Sequence, residues 1–277
     1  MSYARPELLA EPQWLEEHTD DSQVRIIDCA TLEAYRRAHI PGAVHLPVHY
    51  YIKEQGDREG GAGMFVMPPD EFATLMSSLG VDADTTVVTY DDNNSLVAAR
   101  LWWVLNYYGH SKVKVLNGGW HRWLTEEHPV TFHATRPEER TFTSNTVSTL
   151  HASAEDLLAV HDSPTCTVLD VRSDGEWEGS NWRGNKRGGH VPGAHHLEWT
   201  SLIERKDTRR FLPSENMKSL LEKAGVLPEA QTITYCQGGI RAAHTAFVLT
   251  LLGFEDVRVY DGSMYEWANR EDTPLIT

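Results

Sequence analysis

Short β-branched runs alternate with longer amphipathic stretches along the whole chain. Val24-Arg25-Ile26-Ile27-Asp28, Thr86-Val87-Val88-Thr89-Tyr90-Asp91, Thr167-Val168-Leu169-Asp170 and Thr232-Ile233-Thr234-Tyr235-Cys236 each read as a buried strand that ends on a polar residue. The segments between them read as helices. After Cys236, the residues Ala243, Ala246, Phe247, Thr250 and Leu251 recur at helical spacing, and the pattern stops at Gly253, a residue suited to a left-handed cap. Parallel strands alternating with helices predict an α/β fold with a sheet covered on both faces. Ligands of such sheets sit at the carboxyl ends of strands, where Asp170 and Cys236 fall.

The pattern occurs twice. Val24–Asp28 is followed by Glu33-Ala34-Tyr35 and His39-Ile40-Pro41-Gly42-Ala43. Thr167–Asp170 is followed by Gly175-Glu176-Trp177 and His190-Val191-Pro192-Gly193-Ala194. Asp91 then matches Cys236, and Gly118 and Gly262 stand at the same distance beyond Gly109 and Gly253. With 277 residues the chain is long enough for two domains. The repeat places them at residues 1–130 and 150–277, joined by a polar linker, 131–149, that carries Pro137-Glu138-Glu139-Arg140.

Charge narrows the partners. Lys and Arg number 25 against 40 Asp and Glu, a formal net charge of −15, the wrong sign for a nucleic-acid or anionic-membrane binder. No run approaches the roughly 18 apolar residues of a membrane span, and the acidic start is unlike a signal peptide. Three cysteines, Cys29, Cys166 and Cys236, make a disulfide framework unexpected and a reducing, cytoplasmic setting the natural one.

The chemistry concentrates in Tyr235-Cys236-Gln237-Gly238-Gly239-Ile240-Arg241-Ala242, a strand running into a helix through two glycines. Glycines in such a turn let successive backbone N–H groups converge, and the helix that follows adds its positive end. The product is a small anion cradle with a thiol at its mouth, the electropositive setting that a nucleophilic cysteine requires. Gln237, Gly238, Gly239, Ile240 and Arg241 are therefore candidate substrate-binding residues around a catalytic Cys236.

The repeat, the paired His-(Ile/Val)-Pro-Gly-Ala segments and this loop resemble the two-domain rhodanese, or sulfurtransferase, family over nearly the whole chain. The resemblance implies two tandem rhodanese-like domains, each a parallel sheet covered by helices. The first is catalytically silent, with Asp91 at the cysteine position, and the second carries a cysteine that becomes a persulfide. It further implies an enzyme passing sulfane sulfur from a small anionic donor, thiosulfate or 3-mercaptopyruvate, to a thiophilic acceptor such as cyanide or a thiol, with no metal or organic cofactor. The single loop cation, Arg241, and Gly238 where mercaptopyruvate enzymes of the family carry a serine favour thiosulfate. Two alternatives stay open: a phosphatase or arsenate-type enzyme using the same loop, although four residues rather than five separate Cys236 from Arg241, and a persulfide carrier for a partner protein.

One departure stands out. Glu176 occupies the place of a family arginine that helps bind the donor, and a carboxylate there is expected to repel an anion. The second repeat also has an insertion, Asn181-Trp182-Arg183-Gly184-Asn185-Lys186-Arg187, so Arg183, Lys186 and Arg187 are expected to supply the missing charge. Asp170 is expected to brace the site, and Asp28 its own loop. His39 and His190 read as structural, and Trp102, Trp103, Tyr107 and Tyr108 as a packed helix face. Trp182 and Trp199 are candidates for the pocket wall, and Cys29 and Cys166 read as inert. A metal at His45 and His49, or at His195 and His196, is not expected, because Pro47 breaks the first spacing and no further ligand stands near.

Overall fold

All four β-branched runs form central strands of two five-stranded parallel sheets. The computed structural model describes residues 2–46, 52–56 and 62–277. It divides into an N-terminal unit, Glu7–Val147 with Ile203–Phe211, and a C-terminal unit made of residues 2–6, Ser148–Leu202 and Leu212–Thr277.

The N-terminal unit contains strands β1 (Leu9–Ala10), β2 (Val24–Asp28), β3 (Val44–His45), β4 (Lys53–Gln55), β5 (Ala62–Val66), β6 (Thr86–Tyr90) and β7 (Val113–Leu116). Its helices are α1 (Pro12–Glu17), α2 (Leu32–Arg37), α3 (Pro69–Ser78), α4 (Leu96–Tyr107) and α5 (Gly119–Thr125). The sheet runs β1-β7-β6-β2-β3, and β4 and β5 form a separate antiparallel hairpin. The C-terminal unit contains β8 (His151–Ala152), β9 (Cys166–Asp170), β10 (His195–His196), β11 (Gln231–Tyr235) and β12 (Val257–Tyr260), with α6 (Ala154–Val160), α7 (Asp174–Trp177), α8 (Ser214–Lys223), α9 (Ile240–Leu251) and α10 (Ser263–Trp267). Its order, β8-β12-β11-β9-β10, repeats the first, and helices flank both sheets.

The register explains why the polar strand ends matter. Asp28 pairs with Tyr90 across β2 and β6, and Asp170 with Tyr235 across β9 and β11. Asp91 and Cys236 are thus the first residues past the carboxyl ends of the central strands. Helix α9 spans the expected range, and Gly253 follows it with φ +95°. Each core is a continuous apolar cluster, with Ile26, Val88, Leu116 and Trp123 in one unit and Val168, Ile233, Tyr260 and Trp267 in the other.

The repeated His-x-Pro-Gly-Ala segments are structural in both units. His39 and His190 are buried, and their Nδ1–H groups donate to Tyr35 O at 2.7 Å and Trp177 O at 2.9 Å. Each imidazole also stacks on that aromatic ring, at 3.7 and 3.4 Å between centroids. Gly42 and Gly193 hold φ of +78° and +73°, and a Cβ there would meet a backbone oxygen at 2.8 and 2.5 Å, so no other residue fits the turn. Of the expected packed face, Trp102 and Trp103 are buried on α4 and Tyr108 just past its end, whereas Tyr107 is half-buried.

The segment read as a linker runs along the N-terminal unit as far as Val147. Thr131 bridges to His39, Arg140 N–H donates to Ser77 O, its guanidinium reaches Thr85 and Ser22, and Phe142 is buried. Its polar composition reflects a surface path whose backbone groups are satisfied by the unit beneath.

In the N-terminal unit Asp28 braces its loop by accepting from Ala30 N–H at 2.8 Å and Tyr90 O–H at 2.5 Å. Burial is the largest influence on its carboxyl and, with Asp91 nearby, raises its pKa to about 6 despite those bonds. A carboxyl raised above its unfolded value near 3.9 weakens the fold once ionised. The loss is absent below about pH 4 and complete above about pH 6. The Asp28→Asn variant is therefore expected to gain about 2–3 kcal/mol relative to the native chain between pH 4 and pH 7. Denaturant unfolding across that range measures the difference, and a pH-independent offset would refute it.

Candidate active site

Cys236 lies where β11 passes into α9 and is buried, at 1% exposure. The turn between them is held from behind by one hydroxyl. Ser263 Oγ accepts from Cys236 N–H and Gly239 N–H, both at 3.1 Å, and donates to Tyr260 O at 2.7 Å. The first amides of α10 complete the clamp, Met264 N–H on Cys236 O at 3.1 Å and Tyr265 N–H on Gln237 O at 2.8 Å. Gly239 caps α9 with φ +80°, and a Cβ on it would come within 2.2 Å of the Asp261 carboxylate. Glycine is obligatory there.

The N-terminal unit has a corresponding turn. Its equivalent, Asp91, is also buried, and its carboxylate accepts four backbone N–H groups. Asn93 and Ser95 bond Oδ1 at 2.8 and 2.9 Å, and Val97 and Ala98 bond Oδ2 at 2.7 and 2.8 Å. The alignment of the units is fixed by matching hydroxyls: Thr89 donates to Ala98 O and Thr234 to Ala242 O, each at 3.1 Å. Arg241 and Ala242 thus stand at the positions of Val97 and Ala98 in the other unit. The N-terminal cradle is filled by its own anion, whereas the C-terminal one presents a thiol in that place.

Arg241 is oriented by a partner. Its Nη1 and Nη2 donate to Glu176 Oε2 and Oε1 at 2.7 and 2.8 Å, a bidentate pair with Glu176 only 3% exposed. Glu176 is also the third residue of α7, where it closes a capping box with Ser173. Burial raises the Glu176 pKa most, but the bonds from Arg241 and Ser173 outweigh it and hold the pKa at about 2. Burial opposes the charge of Arg241, yet its bonds to Glu176 and the proximity of Cys236, Glu176 and Asp170 together raise its pKa. The expectation that Glu176 merely repels a donor is corrected here: it is consumed in pairing the loop's one cation.

The insertion divides into separate roles. Asn185 exchanges two bonds with Gln237, Nδ2–H to Oε1 at 3.1 Å and Nε2–H to Oδ1 at 3.0 Å, tying it to the Cys236 turn. Arg183 is exposed, with Nε 3.9 Å from Glu176 Oε1, and Lys186 is exposed with its backbone N–H on Asn269. Arg187 turns away from the donor site, contrary to its sequence reading. Its guanidinium donates to Trp267 O, Ala268 O, Arg270 O, Thr273 O and Thr273 Oγ1, closing the carboxyl end of α10. Asp170 accepts from Arg172 N–H, Nε and Nη2 at 2.5 to 3.0 Å, and Arg172 reaches on to Gly189 O. The buried pair lies at the end of β9, with the Arg172 guanidinium over the Tyr235 ring.

Of the aromatic candidates, Trp199 is buried edge-on against His244, and Trp182 is 52% exposed with its indole N–H on Gly179 O. Burial pushes the Cys29 thiol well up, and Cys166 to about 11, so both favour the unreactive thiol. His45 donates to Ala30 O, whereas His49 and Pro47 lie outside the described residues. Among the described residues no His, Cys, Asp and Glu cluster has the arrangement of a metal site, and no helix is long and apolar enough to cross a membrane.

A duplicated parallel α/β unit with a buried thiol over an amide cradle in only one copy defines a thiol-based group-transfer protein. Residues 11–126 and 153–270 each match the rhodanese-like domain, and the chain belongs to the rhodanese-like family. It is 33% identical over 289 residues to the sulfur carrier protein TtuD of Thermus thermophilus, covering 99% of this chain and 98% of that one. The thiosulfate sulfurtransferase of Corynebacterium glutamicum is 33% identical over 293 residues, covering 99% and 92%. The structure of SseA from Escherichia coli, a 3-mercaptopyruvate sulfotransferase, superimposes with a TM-score of 0.81 at 26% identity over 92% of this chain and 98% of that one. These full-length likenesses make the chain a sulfurtransferase.

Replacing Arg187 by Ala removes a charged donor from five acceptors in the C-terminal unit. It is expected to lower stability by about 2–4 kcal/mol, with no change in donor KM for the protein that remains folded. Unfolding curves and steady-state kinetics check the two halves separately; a raised KM at native stability would restore Arg187 to the donor site.

Proposed function

We propose that Cys236 carries sulfane sulfur as a persulfide between a small donor and a thiophilic acceptor. The reading rests above all on the Asp91 carboxylate. Four backbone N–H groups converge on that carboxylate and offset part of the burial that raises its pKa, and Cys236 occupies the matching position, which supports an anion-accepting turn there. In thiosulfate chemistry the Cys236 thiolate attacks the outer sulfur, a sulfur–sulfur bond forms, and the donor's own sulfur–sulfur bond breaks to release sulfite with the electron pair. The anionic persulfide is then held by loop N–H groups as an oxyanion hole holds oxygen. Cyanide or a thiolate attacks the outer sulfur of the persulfide and regenerates the Cys236 thiolate.

Ser263 supports this reading as the positioning residue that fixes the Cys236 and Gly239 amides, while Gln237 to Arg241 supply the walls of the cradle. The C-terminal unit is the catalytic one and the N-terminal unit, residues 1–130 in the repeat, the silent one. The carrier reading shares the persulfide and is favoured by the relative named as a sulfur carrier; it differs only in the acceptor, a partner protein. A phosphate-type reaction is disfavoured, because the cation that would grip a phosphate is engaged by Glu176. Three free thiols suit a reducing, cytoplasmic setting.

Intact mass of the protein after thiosulfate or 3-mercaptopyruvate is expected to rise by one sulfur atom and to return after cyanide, with the Cys236→Ser variant unchanged throughout. Ser263→Ala is expected to slow loading roughly 10- to 100-fold through misplacement of the turn. Uptake by Cys236→Ser, or none by the native chain, would sink the proposal.

A further inference from the structure

We infer that the C-terminal unit carries a docking groove for an extended segment of a partner protein, at the amino ends of β9 and β11. Ala230 precedes β11 and Cys236 follows it, so the groove lies about 15–20 Å from the thiol. The two copies of the fold treat this place differently. In the N-terminal unit the chain's own strap, 131–147, lies across it, whereas in the C-terminal unit it is an open cavity of about 350 Å³.

The copies match residue by residue here. Val24 pairs with Thr86 at the start of β2 and β6, and Cys166 with Gln231 at the start of β9 and β11. Gly80 and Gly225 follow helices α3 and α8 with φ of +73° and +77°, and their N–H groups donate to Ser77 O and Glu222 O at 3.0 and 2.9 Å. Counted from these anchors, Ser22 corresponds to Pro164, Asp82 to Leu227 and Thr85 to Ala230. In the N-terminal unit the strap uses all of these places. Arg140 donates to Ser22 O at 2.8 Å, Thr85 Oγ1 at 2.9 Å and Asp82 Oδ2 at 3.4 Å. Pro137 Cβ and Glu138 O pass within 3.1 and 2.7 Å of where a Cβ on Gly80 would stand. The counterparts Pro164, Gly225, Leu227 and Ala230 all line the open cavity.

Both ends of the strap's path are occupied in each unit. Thr131 exchanges two backbone bonds with His39, at 2.8 and 2.9 Å, and Ile276 exchanges two with His190, at 2.8 and 3.0 Å. At the other end Val147 N–H donates to Tyr107 O at 2.7 Å and Arg5 N–H to Leu251 O at 3.1 Å, each acceptor the last residue of its helix. Only the middle of the path differs. The cavity walls come from segments 161–167, 193–195 and 225–230, and among the described residues no strap lies over them.

The occupant's chemistry follows from what stands where the strap's partners stood. The carboxylate and hydroxyl that grip Arg140 are replaced by Leu227, half-exposed, and Ala230, and Pro164 and the Cys166 thiol also line the cavity. A guanidinium laid there would lose its acceptors, whereas an aliphatic side chain would cover exposed apolar surface. The backbone acceptor is kept: Ser77 O takes Arg140 N–H at 3.1 Å besides that of Gly80, and Glu222 O stands in the same place. The His195 ring, its Nδ1–H on Ala224 O at 2.6 Å, forms the wall at Gly225. An extended peptide with an apolar side chain at the place of Arg140 fits these walls.

The test titrates a fluorescently labelled peptide of residues 134–142, and the same peptide with Arg140→Leu, into the full chain and its variant Leu227→Asp plus Ala230→Thr, with anisotropy as the readout. The native chain is expected to bind the Arg140→Leu peptide roughly tenfold tighter than the unchanged one. The variant restores the groups that hold Arg140 and is expected to reverse that order. An unfolding curve close to native shows that the variant folds; if it does not, Leu227→Asp alone is expected to weaken the Arg140→Leu peptide roughly tenfold. Failure of both peptides to bind the native chain, or an order unmoved by the substitutions, overturns the inference. So does a concentration-dependent dimer in sedimentation velocity that Leu227→Asp dissolves, since the occupant would then be a second copy of this chain.

Discussion

Everything at the catalytic centre follows from one constraint: a buried negative charge at the end of a central strand is tolerable only where backbone N–H groups converge on it. Strand β6 meets that constraint with Asp91, whose carboxylate takes four amides. Strand β11 is followed by Cys236 instead, equally buried, in a corresponding turn one residue shorter. The fold thus builds one anion cradle twice and spends the first on its own side chain. In the proposed function, a sulfur anion in the second is the charge that the remaining amides would meet, and catalysis falls to the C-terminal unit.

The elements around that cradle keep it rigid. Ser263 ties two of its amides to α10, Arg187 fastens the far end of α10, and the buried Asp170–Arg172 pair packs against Tyr235. Asn185 and Gln237 link the insertion to the turn. Glu176 joins the cap of α7 to the guanidinium of Arg241, so a single carboxylate shapes a helix end and the electrostatics of the site together. This arrangement explains how the loop has one cation and yet little net positive charge.

The duplication, the strand ends, the α9 span and the Cys236 turn were legible in the sequence because each has a local signature: β-branched runs, helical spacing, adjacent glycines. What could not be read depends on pairings distant along the chain. Arg241 and Glu176 stand 65 residues apart, although the Ser173-x-x-Glu176 capping box was a visible sign that Glu176 had a structural post. Arg187 was indistinguishable by composition from the exposed Lys186 beside it; only the folded α10 gives it carbonyls to close. Ser263 left no motif, since a lone serine after a glycine is common. Residues 131–149 read as a linker because a strap on a surface, such as 131–147, has the polarity of a free one.

The central claim is that loop amides hold a negatively charged sulfur on Cys236 as they hold the Asp91 carboxylate. A crystal structure of the sulfur-loaded protein tests it most directly. The account predicts the outer sulfur within hydrogen-bonding reach of the turn and of the Arg241 and Ala242 N–H groups, in the position that Asp91 Oδ2 occupies in the N-terminal unit. An outer sulfur directed away from those amides, or lodged on Cys29 or Cys166, would contradict it.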